Sequence, residues 1–360
     1  MAVELRDLLG RLCAAPGPSG QEQAVRDLIA AELKPYSGEI REDGLGNLVV
    51  KVGPEGGYRV GVLAHMDEVG FIVSRISGRG LVGFELLGSI DARCLPACEV
   101  DLVTTAGRLV RGGIGLKSRH LQTPDDPPLS LKSLSIDLGA GSAAEVEEAG
   151  VEVGGGGVFA TPFQALPNGI IRAKALDDRI GCLVLMETLK ACSSVLKNTT
   201  LYGMFTSQEE IGAKGAQVVA FDIRPQLTIT LDTVPTKNPD EIGAGDVDLG
   251  RGPVIRLFDW HPSTKFGMAS HPAITARLKK VAREKKIPYQ VDVLTSTYLD
   301  SSQVHLTAGG IPGGSICFPR RYSHSPVEVA QLADVRNGLA LLTEFISSLD
   351  RDPLKFGRVY

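Results

Sequence analysis

An α/β layer with helices on both faces, interrupted by a smaller β-rich module, is the fold class this sequence predicts. Two observations carry that expectation. From about residue 166 onward, strand-like runs alternate with amphipathic helical stretches, the order that builds a helix-covered sheet. From about 75 to 165 the texture changes to short β-like runs separated by glycines, with little helical periodicity. The expected organisation is therefore a discontinuous larger domain, 1–74 and 166–360, carrying an inserted β-rich domain, 75–165. A chain of 360 residues is long enough to bury a core in each.

Taken in order, "MAVELRDLLGRLCAAPGPSGQEQAVRDLIAAEL" reads as two amphipathic helices around a Pro/Gly turn. "GNLVVKVG" and "YRVGVLAHMDEVGFIV" are Val-rich strands bounded by glycine. In the insert, only "SAAEVEEAG" is helical, and the run Gly154 to Gly157 is a turn, since no helix follows it to cradle a phosphate. Beyond it, "DDRIGCLVLMETLKAC", "AKGAQVVAF" and "PAITARLKKVAREKK" are helices. They alternate with the strands "TTLYGMFTSQ", "QLTITLD", "PYQVDVL" and "PGGSICFPRR". "EVAQLADVRNGLALLTEFISSL" is a long final helix.

Composition narrows the function classes. Hydrophobic residues at 43% with 22% charged describe a globular chain, and a net charge of −4 provides no basic footprint for nucleic acid. No run of about 18 apolar residues exists to span a membrane, and the N-terminus lacks the pattern of a signal peptide. The 6 cysteines are scattered, with only Cys94 and Cys98 close, so reduced thiols in a cytoplasmic protein are the economical reading.

In helix-covered sheets, polar residues at the carboxyl ends of strands line the functional site. That rule selects His65, Asp67 and Glu68 in "AHMDEVG", Asp177 and Asp178 in "ALDDRIG", Glu209 and Glu210 in "SQEEIG", Asp232 in "TLDTVP" and His324 in "RYSHSP". Singly, each has an ordinary explanation. Asp177 or Asp178 would serve as a helix cap, Asp232 as a turn residue, His324 as a surface residue, and the two glutamates as a solvated helix start. Together, two histidines and several carboxylates at successive strand ends make a mixed nitrogen/oxygen donor set for divalent metal. The number of ligands suffices for two ions if one carboxylate bridges them.

The ordered motifs "PGPSGQEQAVRD", "AHMDEVGF", "ALDDRIG", "SQEEIGAKGA", "LGRGP" and "RYSHSPVE" resemble those of the tetrahedral aminopeptidases. This family of dinuclear-zinc exopeptidases includes glutamyl and deblocking aminopeptidases, and the resemblance spans nearly the whole chain. It implies a mixed-sheet catalytic domain with an inserted small β-barrel-like domain. It also implies hydrolysis of N-terminal residues from peptides. His65 and Asp232 would hold one metal, Glu210 and His324 the other, and Asp177 would bridge them beside a cis peptide to Asp178. Glu209 would be the general base that activates water, and Asp67 would orient His65. Two ions per subunit are implied, zinc first, with cobalt or manganese also suited to such donors. Peptide substrates and self-association, up to a twelve-subunit tetrahedron, complete the implied partners.

The sequence departs from the family pattern at "TSTYLDSSQ", where Asp300 keeps an acidic position but the usual glycines are absent. That departure, with "TVPTKNPD", bears on the substrate pocket. Two other functions remain in view. A metal-dependent deacylase or carboxypeptidase would share the catalytic design. A glycosidase would need two carboxyl groups about 5 to 9.5 Å apart and no metal. His120, His261, His271 and His305 read as surface, packing or interface residues, and Arg321 and Tyr322 as candidate pocket neighbours.

Overall fold

The computed structural model describes residues 2–124, 126, 128–243 and 245–357. Helices α1 (Ala2–Ala14) and α2 (Gln23–Leu33) lead into strands β1 (Glu39–Glu42), β2 (Leu48–Val52) and β3 (Tyr58–His65). Then come β4 (Gly70–Ile76), β5 (Leu81–Leu87), β6 (Glu99–Val103), β7 (Leu109–Ile114), β8 (Ile136–Asp137), α3 (Ala143–Glu148) and β9 (Gly156–Phe159). The chain continues through β10 (Gln164–Ala165), β11 (Ile170–Ala173), α4 (Leu176–Cys192), β12 (Thr199–Thr206), α5 (Lys214–Ile223) and β13 (Leu227–Pro235). It ends with β14 (Val254–His261), β15 (Phe266–Ala269), α6 (Pro272–Glu284), β16 (Gln290–Leu294), α7 (Ser301–Val304), β17 (Gly313–Arg321), β18 (Glu328–Gln331) and α8 (Leu332–Arg351).

A 12-stranded mixed sheet runs β1-β2-β12-β3-β13-β17-β18-β11-β10, with β14, β15 and β16 branching from β17. Its centre, β12-β3-β13-β17, is parallel, so these four strands deliver their carboxyl ends to one edge. Alternation along β3 explains why both faces are covered. Val60, Val62 and Ala64 join the core built with α1, α2, α4, α6 and α8. Leu63 points the other way and packs with α5 residues Ala216, Val219 and Ala220 and with Val304 of α7. Helix α4 is buried along nearly its whole length, which matches the absence of a polar stripe in its sequence.

Strands β4-β5-β8-β7-β6-β9 close into a barrel. Its separate core centres on Phe71, whose ring meets Phe84 and Phe159 edge-on at 5.2 and 5.1 Å. Gly112 and Gly157 let neighbouring chains approach, since a Cβ at either would sit 2.6 Å from packed leucine side chains.

Some elements differ from the sequence expectation. The stretch expected to begin the last helix starts instead as strand β18, because Val329 and Ala330 pair with both β11 and β17. The hairpin β14–β15 is not announced by periodicity, since a register shift between Arg256 and Phe258 breaks the alternation. The glycine run splits, with Gly154 (φ +90) in a turn and Gly156 and Gly157 already in β9.

Candidate active site

The sheet brings together residues separated by more than 250 positions in sequence. Thr206 of β12 lies opposite His65 of β3, and Glu209 and Glu210 follow three and four residues later. Asp232 sits within β13, Asp177 starts α4 after β11, and His324 lies in the turn between β17 and β18. His65 Nε2 is 3.3 Å from Asp177 Oδ1, and His324 Nε2 is 3.3 Å from Asp177 Oδ2 and 3.6 Å from Glu210 Oε2. One candidate ligand atom each from His65, Asp177 and Glu210 lie within 4.8 Å of one another, as do those of Asp177, Asp178 and Asp232. The peptide bond between Asp177 and Asp178 is cis.

His65, Asp177, Glu209, Glu210, Asp232 and His324 line a cavity of about 220 Å³. The remaining lining comes from Ser89, Thr233, Pro235, His261, Ser296, Thr297, Tyr298, Arg320 and Ser323. The segment departing from the family pattern thus supplies Ser296 to Tyr298, and His261 is a cleft residue. Tyr298 is braced edge-on by His261 at 6.2 Å and Phe266 at 5.3 Å. Asp300 lies behind, 1% exposed, and accepts a hydrogen bond from Thr206 Oγ1 at 2.5 Å.

Asp67 does not line the cleft; it is fully buried and organises two of the turns. Its carboxylate accepts hydrogen bonds from Ser19 Oγ at 2.6 Å, Glu209 N at 2.9 Å and Glu210 N at 3.1 Å. It meets His65 Nδ1 through its main-chain oxygen at 3.1 Å, with Oδ1 at 3.5 Å. Left-handed backbone at Ala175, Gln208, Tyr322 and His324 (φ 57, 58, 59 and 53) turns the chain sharply at three of the site loops. Such conformations in residues other than glycine persist only where the surroundings hold them.

Sequence reasoning missed three supports, Arg320, Glu328 and Ser89, and assigned no role to a fourth, Glu68. Arg320, 2% exposed, donates to Asp177 Oδ2 at 2.6 Å, to Ser323 Oγ at 2.7 Å and to Glu328. Glu328, 1% exposed, also accepts the main-chain N–H groups of Asp177 and His324, each at 3.1 Å. Glu68 pairs with Lys174 at 2.8 Å and Arg179 at 3.1 Å beneath the Asp177 turn. Ser89, from the barrel, presents its carbonyl 2.9 Å from His324 Nδ1. Glu328 stands four residues after His324 in "HSPVE", so the motif held a signal for it. Arg320 had no comparable signal.

The electrostatics are unbalanced. Burial pushes Asp178, Glu209 and Asp232 well above the usual carboxylate range, and neighbouring carboxylates add to the shift. Burial also raises Glu210, against the pull of His324. Asp177 goes the other way: burial alone would raise it, but Arg320, His324 and His65 together hold it well below. His65 is disfavoured as a cation by burial, yet its contacts with Asp177 and Asp67 outweigh that and raise it. Among the buried side-chain atoms without a hydrogen-bond partner are Asp177 Oδ1, Asp178 Oδ2 and Glu210 Oε1. Unpartnered buried carboxylate oxygens beside imidazole nitrogens fit a divalent cation, which supplies the missing positive charge.

A helix-covered sheet whose strand ends gather carboxylates and histidines is the plan of a hydrolase site. The family model described as M42 glutamyl aminopeptidase matches residues 46–341, and the chain belongs to that family and is a peptide hydrolase. A putative aminopeptidase of Acetivibrio thermocellus is 34% identical over 344 residues, covering 95% of this chain and 98% of its own. An aminopeptidase from the archaeon Desulfurococcus kamchatkensis superposes with a TM-score of 0.89 at 34% identity, covering 96% of this chain and 95% of that one. The TET1 peptidase of Pyrococcus horikoshii, described as assembling into a tetrahedron or a large octahedral shell, matches with a TM-score of 0.84 at 30% identity. That match covers 94% of this chain and 98% of the other. Among the described residues, no helix is long and apolar enough to cross a membrane.

Proposed function

We propose that this chain is a metal-dependent aminopeptidase that removes N-terminal residues from peptides. The observation that carries the reading is the convergence of His65, Asp177, Glu210, Asp232 and His324 with buried carboxylate oxygens left unpartnered. His65 and Asp232 would hold one divalent ion, Glu210 and His324 a second, and Asp177 would offer one oxygen to each. Zinc is the first choice, with cobalt or manganese compatible. When bound, two such ions supply Lewis acidity, making water acidic enough to deprotonate near neutral pH and polarising the scissile carbonyl.

Glu209 is the proton carrier in this reading. Its carboxylate lies in the cleft, and burial raises its proton affinity well above that of an ordinary glutamate. It takes a proton from the attacking water and delivers it to the departing amine. Asp67 holds the Glu209 and Glu210 main chain from behind, so both carboxylates keep their direction. The free α-amine of the substrate is a cation and is drawn to the surplus of carboxylates, which favours peptides with an unblocked N-terminus. The closed barrel, whose Ser89 reaches His324, would form an inserted domain that borders the cleft and contributes to self-association.

The test is hydrolysis of free-amine and N-acylated peptide panels by the wild type and Glu209→Gln, with metal analysis of both. We expect hydrolysis of free-amine substrates alone. The variant should keep its metals and lose about 10²–10⁴-fold in kcat, the usual worth of a positioned acid/base. A full rate in the metal-loaded variant would remove Glu209 from its role. Preference for blocked peptides would favour the deacylase reading.

A further inference from the structure

The two oxygens of Asp177 are not equivalent. Oδ1 lies 3.3 Å from His65 Nε2 and has no hydrogen-bond partner. Oδ2 lies 3.3 Å from His324 Nε2 and already accepts a hydrogen bond from Arg320 Nη2 at 2.6 Å. This guanidinium is clamped. Its Nη1 donates to Glu328, and Nη2 also reaches Ser323 Oγ at 2.7 Å. Glu328 in turn accepts the N–H groups of both Asp177 and His324. A swing of Arg320 away from Asp177 would therefore break contacts that also fix the two candidate ligands.

The consequence rests on the metallopeptidase reading above, in which two cation seats share Asp177. At one seat the shared oxygen is free. At the other it already serves a fixed cation, which both engages the oxygen and repels an incoming ion in a poorly solvated site. We propose that Arg320 makes the two seats unequal. An ion at Asp177 Oδ2, Glu210 and His324 is held weakly and exchanges, whereas an ion at His65, Asp177 Oδ1 and Asp232 is held tightly. The weak seat lets the surrounding divalent-ion concentration grade the enzyme's activity, and Arg320 is the positioning residue that sets the threshold.

The experiment is a Zn²⁺ titration of the metal-stripped full-length protein, followed by calorimetry and by elemental analysis after dialysis. The wild type should take up two ions in steps separated by about tenfold or more, the scale on which partners of metal ligands alter affinity. Glu210→Gln should erase the weak step and Asp232→Asn the tight one. The double variant R320M/E328Q removes both members of the buried pair, so neither charge is left alone. It should tighten the weak step by about tenfold or more and leave the tight step within about twofold. Arg320→Lys, which keeps the charge, should preserve the gap. Coincident steps in the wild type would overturn this inference and leave the metallopeptidase reading standing, as would a gap unchanged in R320M/E328Q. Loss of the tight step in Glu210→Gln would reverse the assignment and overturn it too. Uptake of no ion by the wild type would overturn both readings.

Discussion

Asp67 illustrates how much of this site is held from behind. Three donors converge on a carboxylate that never touches the cleft, and two of them are the main-chain N–H groups of Glu209 and Glu210. Asp67→Ala would leave those buried groups without an acceptor, each costing about 1–3 kcal/mol. We expect a lower unfolding midpoint in urea and a fall in kcat with peptide substrates. Asp259, away from the ligands, makes a different point. Burial pushes its carboxyl up to about 7, against the pull of Arg256. The folded state therefore keeps a proton that the unfolded chain has already released above pH ~4, so stability falls as pH rises from about 4 to about 7 and then levels. Asp259→Asn should flatten that slope and gain stability over the wild type at pH 8, by up to about 4 kcal/mol on the scale of 1.4 kcal/mol per pH unit. Urea titrations at pH 5 and pH 8 read both effects.

The element that aims the glutamate pair is the β12-to-α5 connection. Asn47 accepts from Ser207 N at 2.9 Å and donates to the Gly215 carbonyl at 3.1 Å, tying the turn to the start of β2. Gly215 lets α5 start close against this turn. A Cβ there would lie 2.2 Å from Asn47 Oδ1 and 2.5 Å from the Ser207 carbonyl oxygen. Gly215→Ala should cost about 1–3 kcal/mol, the usual scale of forced overpacking, and displace Glu209. Thermal melts and kcat measured on one preparation would show both losses. At this scale much was legible in the sequence. The polar clusters "HMDE", "DD", "QEE" and "SHS" interrupt apolar runs so abruptly that strand ends and site coincide. Strand β18 and the β14–β15 hairpin were not legible, because long-range pairing and a bulge, not local periodicity, make them strands.

At the scale of the whole molecule, parallel strands collect distant residues on one edge and the barrel leans a loop into the same cleft. Gly88 (φ +84) belongs to that loop, and a Cβ on it would come within 3.1 Å of Glu210 Oε2. The candidate ligands could be listed from sequence because each lies in or close to the end of a recognisable element. Arg320 could not, since its importance arises only when β17 and β18 fold back on Asp177. The central claim is that buried carboxylates lacking compensation make this chain a peptide hydrolase that works through bound cations. Exhaustive chelation tests it most directly, with hydrolysis of a free-amine peptide followed before and after Zn²⁺, Co²⁺ or Mn²⁺ is returned. The account predicts that activity is abolished by chelation and restored by the returned ion. Full activity in chelated protein, verified free of metal by elemental analysis, would contradict it.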